Sequence, residues 1–448
     1  MPQPLRSAVV LLCLLIARAA GAQALDFTPL ETTIRQELES QGIPGAAIAV
    51  ISGGKVVFIK GFGTANVETG APMTPDLLFR LGSTTKMFTA TALAQLADKG
   101  VVDLHQPVGT YIKGLDPAVG RITAHQLLSH TSGLFDEAPM YGSHDEQALT
   151  RNVLSWKAER FFTEPGKVYS YSNPGYWLAG AVIEAASGKL YADQLNEALF
   201  APLGMSRTTL RPTVAMTYPL AQGHDVSGGK PIVVRPAANN AASWPAGSIF
   251  SSAEDLARFV IAFVSDGRVD GKEALSPAVI KMLSTAAATV PGGGSEYGYG
   301  LSLRTQGGLR IIQHGGSRSG YGSGITMVPE RQFGVIFLAN RSGASLPRSA
   351  AKAMEIVLGL PPQTRQTAPP SAALTAQERG RYVGVYSQGP RSMEIVAKDG
   401  KLFLKQGQRE TELPPTGELR LGSYYFVAAP DGRIEYLHSG GRSWKKIS

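Results

Sequence analysis

The sequence predicts an α/β protein. An antiparallel sheet flanked by helices joins a mostly helical half, and a small β-barrel follows at the C-terminal end. Three observations carry this expectation. Short apolar runs that read as strands stand near residue 50 and again between residues 299 and 339. The stretch from about residue 83 to 240 is instead helical and loop-like. A Pro, Gln, Thr and Ala-rich segment at 361–370 precedes short alternating runs separated by Gly and Asp-Gly turns. At 448 residues, 43% of them hydrophobic, the chain can bury a large core and fill two domains.

The elements follow in order. Residues 1–24 read as an export signal: Arg6 is the basic start and Ala8 to Ala17 the apolar run, with competing cleavage sites at Ala20-Gly21-Ala22 and Ala22-Gln23-Ala24. That run is too short to span a bilayer. One large domain is expected over 25–360. Within it, Ala46 to Ser52 and Val56 to Phe62 form a hairpin through Gly53-Gly54. Met87 to Ala97 is an Ala/Leu-rich helix closed by Gly100, and a turn-rich loop over Glu164 to Tyr176 leads into a helix at Leu178 to Ala186. Helices are expected at Glu254 to Val264 and Pro277 to Leu283. Strands follow at Tyr299 to Arg304, Leu309 to Gln313, Gly324 to Val328 and Gly334 to Ala339, and then a closing helix at Ala350 to Leu358. A linker at 361–375 leads to the barrel at 376–448. Its strands are expected at Tyr382 to Tyr386, Met393 to Val396, Lys401 to Lys405, Tyr424 to Ala428 and Arg433 to His438.

Three motifs carry the chemistry: Ser83-Thr84-Thr85-Lys86, Tyr171-Ser172-Asn173 and His314-Gly315-Gly316. They offer a hydroxyl nucleophile with a lysine one helical turn away, a phenol and an amide, and a glycine-flanked strand whose backbone can approach a substrate. Ser-x-x-Lys alone decides little, because it also starts at Ser52, Ser227, Ser349 and Ser443. The Ser52 and Ser227 copies read Ser-Gly-Gly-Lys, which is turn chemistry. Ser443 lies in the last residues, and Ser349 reads as a helix N-cap. Ser83 stands at the mouth of a helix with Lys86 on the same face. A cation in a first turn opposes the helix dipole, so dipole and burial together lower the pKa expected for Lys86.

With these motifs come Gln126 to Leu134 (Gln-Leu-Leu-Ser-His-Thr-Ser-Gly-Leu), Ala201 to Met205 and Ser251 to Ala257. From about Asp26 to Leu360 the chain resembles the serine β-lactamase and penicillin-binding superfamily. The resemblance is to its class C β-lactamase-like branch, which also holds carboxylesterases, D-aminopeptidases and DD-peptidases. It implies one sheet built from the N- and C-terminal parts, a helical half between them, and a cleft where the two meet. It implies Ser83 as the acylated nucleophile, Lys86 and Tyr171 as the proton-transfer pair, and Asn173 as the group that orients Lys86 and substrate. The backbone N–H groups of Ser83 and of Ser317, just after Gly316, are the implied oxyanion hole. Class C β-lactamases usually carry lysine where this chain has His314. A neutral histidine gives up that charge, and carboxylate recognition could pass to Arg318. The terminal barrel looks like the lipocalin-like appendage of some D-aminopeptidase-like relatives.

The expected function is an exported serine hydrolase, periplasmic or secreted. It would cleave a small-molecule ester, a β-lactam or a D-aminoacyl peptide through a Ser83 acyl-enzyme. The alternative is a penicillin-binding sensor or cell-wall-binding protein that acylates without turnover. No cofactor or metal is expected, since no metal-ligand spacing appears, and His130 reads as a partner of the local backbone. Cys13 is the only cysteine and falls in the signal, which excludes disulfides and cysteine catalysis. The net charge of +8, or +6 without Arg6 and Arg18, is spread along the chain, so nucleic acid is not an expected partner. Stable membrane insertion is not expected once the signal is gone. A second His-x-Gly, at His438, reads as chance.

Overall fold

The computed structural model describes residues 25–361 and 373–448; the expected signal and most of the linker lie outside them. The larger sheet is antiparallel throughout. Its nine strands run, in spatial order, Ala288–Thr289, Glu296–Tyr297, Ser302–Gln306, Leu309–Arg318, Tyr321–Val328, Phe333–Ala339, Gly45–Ser52, Lys55–Asn66 and Ala71–Pro72. The hairpin between Gly45–Ser52 and Lys55–Asn66 turns on Gly53 and Gly54, both at positive φ, with Ser52 opposite Lys55. Two left-handed residues give the turn whose twist matches the strands.

Gly45–Ser52 shows why this sheet is sandwiched. Ala46, Ile48 and Val50 face one apolar layer, built with the helices Thr28–Gln41 and Pro347–Leu358. Ala47, Ala49 and Ile51 face the opposite layer, which continues through the helix Ala253–Val264 into the helical half. Alternation of period two places successive side chains on opposite faces, and both faces are apolar because both are covered. The helical half centres on Thr85–Asp98 and Asn173–Ser187, whose side chains are almost entirely buried.

The C-terminal residues form a second nine-stranded antiparallel sheet, running from Arg409–Glu412 at one edge to Pro415–Gly417 at the other. Those two edge strands are consecutive and joined by Leu413 and Pro414 alone, so the sheet must curl until its edges approach. It is a half-barrel around Tyr386, Ile395, Leu404, Phe426 and Leu437. The first strand, expected at Tyr382 to Tyr386, runs Gly384–Gln388, and a short helix, Ala376–Tyr382, precedes it. Thr375 and Glu378 form a capping box there, and that pairing fixes a helix start.

The half-barrel docks on the helical half beside the Tyr-Ser-Asn loop. Ser443 is fully buried; its hydroxyl donates to the Tyr169 carbonyl (2.7 Å) and its N–H donates to Ser170 Oγ (3.1 Å). Thr163 and Tyr436 share a hydrogen bond of 2.7 Å. The Tyr171 N–H donates to the Gly441 carbonyl (2.9 Å).

Candidate active site

Ser83 lies in a 3₁₀ turn, Gly82–Thr84, that runs directly into the helix Thr85–Asp98. The turn is pinned by chemistry on the neighbouring strand. Ser323 Oγ donates to the Leu81 carbonyl (2.6 Å) and shares a bond with Thr84 Oγ1 (2.8 Å). Gly316, on the strand Leu309–Arg318, is packed so tightly here that a Cβ would fall on the Leu81 carbonyl oxygen. A Cβ on Gly82, which has φ 53°, would stand 2.7 Å from Ser317 N. The two glycines let the nucleophile turn and the strand touch backbone to backbone. The peptides of Ser83 and Ser317 are thereby brought together, one of them at a helix mouth whose first N–H groups have no partner within the helix.

Lys86 is completely buried. Its Nζ reaches Asn173 Oδ1 (2.7 Å), the Ala246 carbonyl (2.7 Å) and Ser83 Oγ (3.3 Å). Burial brings its pKa down to about 7, with Asp136 pulling upward and Arg442 downward. Asn173 begins its helix behind the N-cap Ser172, so its amide is fixed at both ends. Its N–H and Nδ2 both donate to Asp136 Oδ1 (2.8 and 3.0 Å), while its Oδ1 takes Lys86.

Tyr171 stands over the same amine, with Lys86 Nζ 4.8 Å from its ring centre. Burial pushes its phenol far above the usual tyrosine range, and the Ser83 hydroxyl holds it back only in part. His130 does not bond the local backbone through its ring as expected: its Nδ1 accepts from the N–H of Ser172, 42 residues away (3.1 Å), so its ring proton is on Nε2. Its ring also packs 4.3 Å from that of Tyr171, a buttress with no local signal in the chain.

His314 is buried, with Nδ1 bonded to the Gly315 carbonyl (2.7 Å) and Nε2 to Tyr297 OH (3.0 Å). A carbonyl only accepts, so Nδ1 carries the proton and Nε2 accepts from the phenol. Burial, and then the charge of Lys86, lower its pKa to about 3, so the ring is neutral. Arg318 donates through Nη1 to the Gly247 carbonyl (2.9 Å) and is not among the residues lining the cleft. The cleft itself, about 900 Å³, is lined by Ser83, Tyr171, His314, Gly316 and Ser317, and also by Gly440 to Arg442.

That last segment is a correction. His438 does not line the cleft, but the turn that follows it does, so the His-x-Gly at 438 belongs to an active-site context. His438 is held by Ser443 Oγ (2.9 Å) at the base of the turn. Asp136, Arg442, Tyr297 and the Ala246 carbonyl were also not anticipated. The available signal was the Ser439-Gly440-Gly441-Arg442 run, a tight turn ending in a cation. The Ser349 copy is also settled by geometry. Ser349 is the third residue of its helix rather than the cap, and its hydroxyl donates to Glu37 Oε2 (2.7 Å).

Residues 30–358 match the family model for Beta-lactamase. The chain belongs to that family. Its members, together with the penicillin-binding homologues, share the serine-hydrolase fold described above. Protein flp of Staphylococcus aureus (strain MW2) is 25% identical over 330 residues, 71% of this chain. The chain spans 64% of that relative's length. Penicillin-binding protein 4* of Bacillus subtilis (strain 168) is 27% identical, covering 91% of this chain and 93% of its own. Among solved structures of the same fold, SurE superposes with a TM-score of 0.76 at 26% identity, over 94% of this chain and 98% of its own. SurE with D-Leu gives 0.75 at 25%, over 94% and 99%. The family resemblance therefore covers the larger domain, whereas these last relatives match across the half-barrel as well.

Proposed function

We propose that this protein is an exported serine hydrolase that opens an ester or a D-aminoacyl amide through a Ser83 acyl-enzyme. The observation that carries the reading is the amine of Lys86. A neutral amine has two N–H donors and one lone pair. Asn173 Oδ1 and the Ala246 carbonyl can only accept, so they take both N–H groups, and the lone pair is left facing Ser83 Oγ at 3.3 Å. With a pKa of about 7, the amine is unprotonated in a large share of molecules at neutral pH.

The steps follow from that arrangement. Lys86 takes the Ser83 proton as Oγ bonds to the substrate carbonyl carbon. The oxyanion is held by the N–H groups of Ser83 and Ser317. Tyr171, a phenol kept protonated by burial, gives its proton to the departing oxygen or nitrogen and is reprotonated from Lys86. Water then cleaves the acyl-enzyme and frees the acid. Two groups whose surroundings push their pKa values apart divide the work of base and acid.

The preference for esters and D-aminoacyl amides over carboxylate-bearing β-lactams rests on the neutral His314 and on Arg318 lying outside the cleft lining. The likeness to SurE, which was solved with D-Leu, favours the D-configured member of the pair. Export rests on residues 1–24 and is checked by the N-terminal sequence of the mature protein.

The test is intact-mass spectrometry over time with p-nitrophenyl butyrate, nitrocefin and a D-aminoacyl anilide. A transient adduct on Ser83 with the first or third is expected, absent in Ser83→Ala. An adduct that persists with every substrate would make the protein a non-turnover sensor. kcat/KM should rise with pH through an apparent pKa near 7, since the base must lose its proton.

A further inference from the structure

Asp136 is a nearly buried carboxylate at the meeting point of the two domains, with 6% of its side chain exposed. Its two oxygens are divided cleanly. Oδ1 accepts both donors of Asn173, the residue whose own oxygen holds Lys86. Oδ2 accepts from Arg442 Nε (2.7 Å) and lies 2.6 Å from Nη2 of the same guanidinium. Arg442 comes from the half-barrel, just past the Gly440-Gly441 turn. A second half-barrel cation, Arg391, donates to the Asp136 main-chain carbonyl (2.8 Å). The chain of contacts is therefore Arg442, Asp136, Asn173, Lys86, Ser83, and it crosses from one domain into the other.

We propose that Arg442 is a positioning residue of the acyl-transfer site, acting through Asp136 and Asn173 to hold Lys86 against Ser83 and to keep its amine free to accept a proton. The inference rests on the acyl-transfer reading above.

The electrostatic argument has a definite sign. A buried carboxylate needs a counter-charge. Arg442 meets that need from outside the catalytic set. Without it, the cation left for Asp136 within the relay is Lys86, and a carboxylate that leans on Lys86 keeps it protonated. The other titratable groups facing Lys86 are few. Tyr171 and Tyr176 present their rings at 4.8 and 5.4 Å and are held protonated by burial. His130 and His314 are both held neutral by burial. That leaves Asp136, which raises the Lys86 pKa, and Arg442, which lowers it. Arg442 also lies over the Tyr171 ring at 5.2 Å, and Gly441 fixes the Tyr171 backbone. One turn of the half-barrel thus touches both members of the proton-transfer pair.

The experiment is the pH dependence of kcat/KM for p-nitrophenyl butyrate over roughly pH 5 to 10, with the Ser83 adduct verified by mass. In Arg442→Gln the rising limb should move up by about one pH unit, with kcat/KM about fivefold lower at pH 7 and recovering in base. Asp136→Asn should move the limb down. The double variant should return it towards wild type, and Arg442→Lys, which keeps the charge, should leave it nearly in place. Tyr436→Phe removes the bond to Thr163 from the same domain interface without touching the relay, and should not shift the limb. An unmoved limb in Arg442→Gln, or an equal loss at every pH, overturns the proposal. If Arg442→Gln does not fold, Asp136→Asn and the double variant carry the same test, and unmoved limbs there overturn it too. If wild type forms no Ser83 adduct, the acyl-transfer reading itself fails, an outcome distinct from these.

Discussion

A histidine in place of a lysine is the residue-scale difference with the largest chemical consequence. His314 has both ring nitrogens committed, to Gly315 and Tyr297, and its proton is lost well below physiological pH. It contributes shape and hydrogen bonding to the cleft, but no charge. A fixed cation about 4 Å from a substrate carboxylate in a partly screened cleft is worth up to a few kcal/mol before desolvation. His314→Lys should therefore raise the ratio of kcat/KM for nitrocefin to that for p-nitrophenyl butyrate by about tenfold or more. Arg318→Ala should leave the ratio near wild type, because Arg318 is not among the residues lining the cleft. A wild-type ratio already strongly in favour of nitrocefin, and unchanged in His314→Lys, would remove the electrostatic argument.

Two elements, a turn and a strand, make the site by touching, and their contact can be broken separately from the chemistry. Gly316→Ala puts a methyl group on the Leu81 carbonyl and must push the strand Leu309–Arg318 away from the Ser83 turn. The expected result is a folded protein with at least about a hundredfold slower Ser83 acylation, the scale of a lost oxyanion donor. Ser349→Ala has the opposite profile. It removes a buried hydrogen bond to Glu37, costing about 1–3 kcal/mol of stability measured by denaturant midpoint, and leaves acylation intact. The contrast also marks what could be read before any coordinates. Ser83 and Ser349 share a motif, and only the setting of Ser83, its order relative to Tyr171 and His314, told them apart. The hairpin at Gly53-Gly54 and the strands around His314 were legible because turn residues and apolar alternation are local signals. The strand Arg409–Glu412 was not legible, since all four of its residues are exposed and polar. The partnership of Asp136 with Arg442 was not legible either, because it exists only once two domains dock, and no local pattern encodes a contact between residues so far apart.

At the scale of the whole molecule, the docking of the half-barrel explains why a small all-β appendage borders a cleft built by other elements. Its Gly440–Arg442 turn is a wall of the site, and buried bonds from Ser443 and Gln388 to Ser170 fix that wall to the Tyr-Ser-Asn loop. The connectivity of the two sheets has a further consequence, for the order in which they can form. In the larger sheet Ala46 pairs with Ala339, about 290 residues along the chain, so the interior strand Gly45–Ser52 has one neighbour missing until almost the whole domain has been synthesised. Closing a loop of that length costs roughly 5 kcal/mol of chain entropy before the pairing returns anything. Most of the half-barrel's strands pair with their neighbours in sequence. Local contacts form quickly and distant ones slowly. In refolding followed by pulsed hydrogen exchange, the amides of Arg391–Lys398 and Lys401–Gln406 should gain protection before those of Gly45–Ser52, and the reverse order would contradict this. The half-barrel can form from strands that follow one another, whereas Gly45–Ser52 must wait for Phe333–Ala339 to arrive.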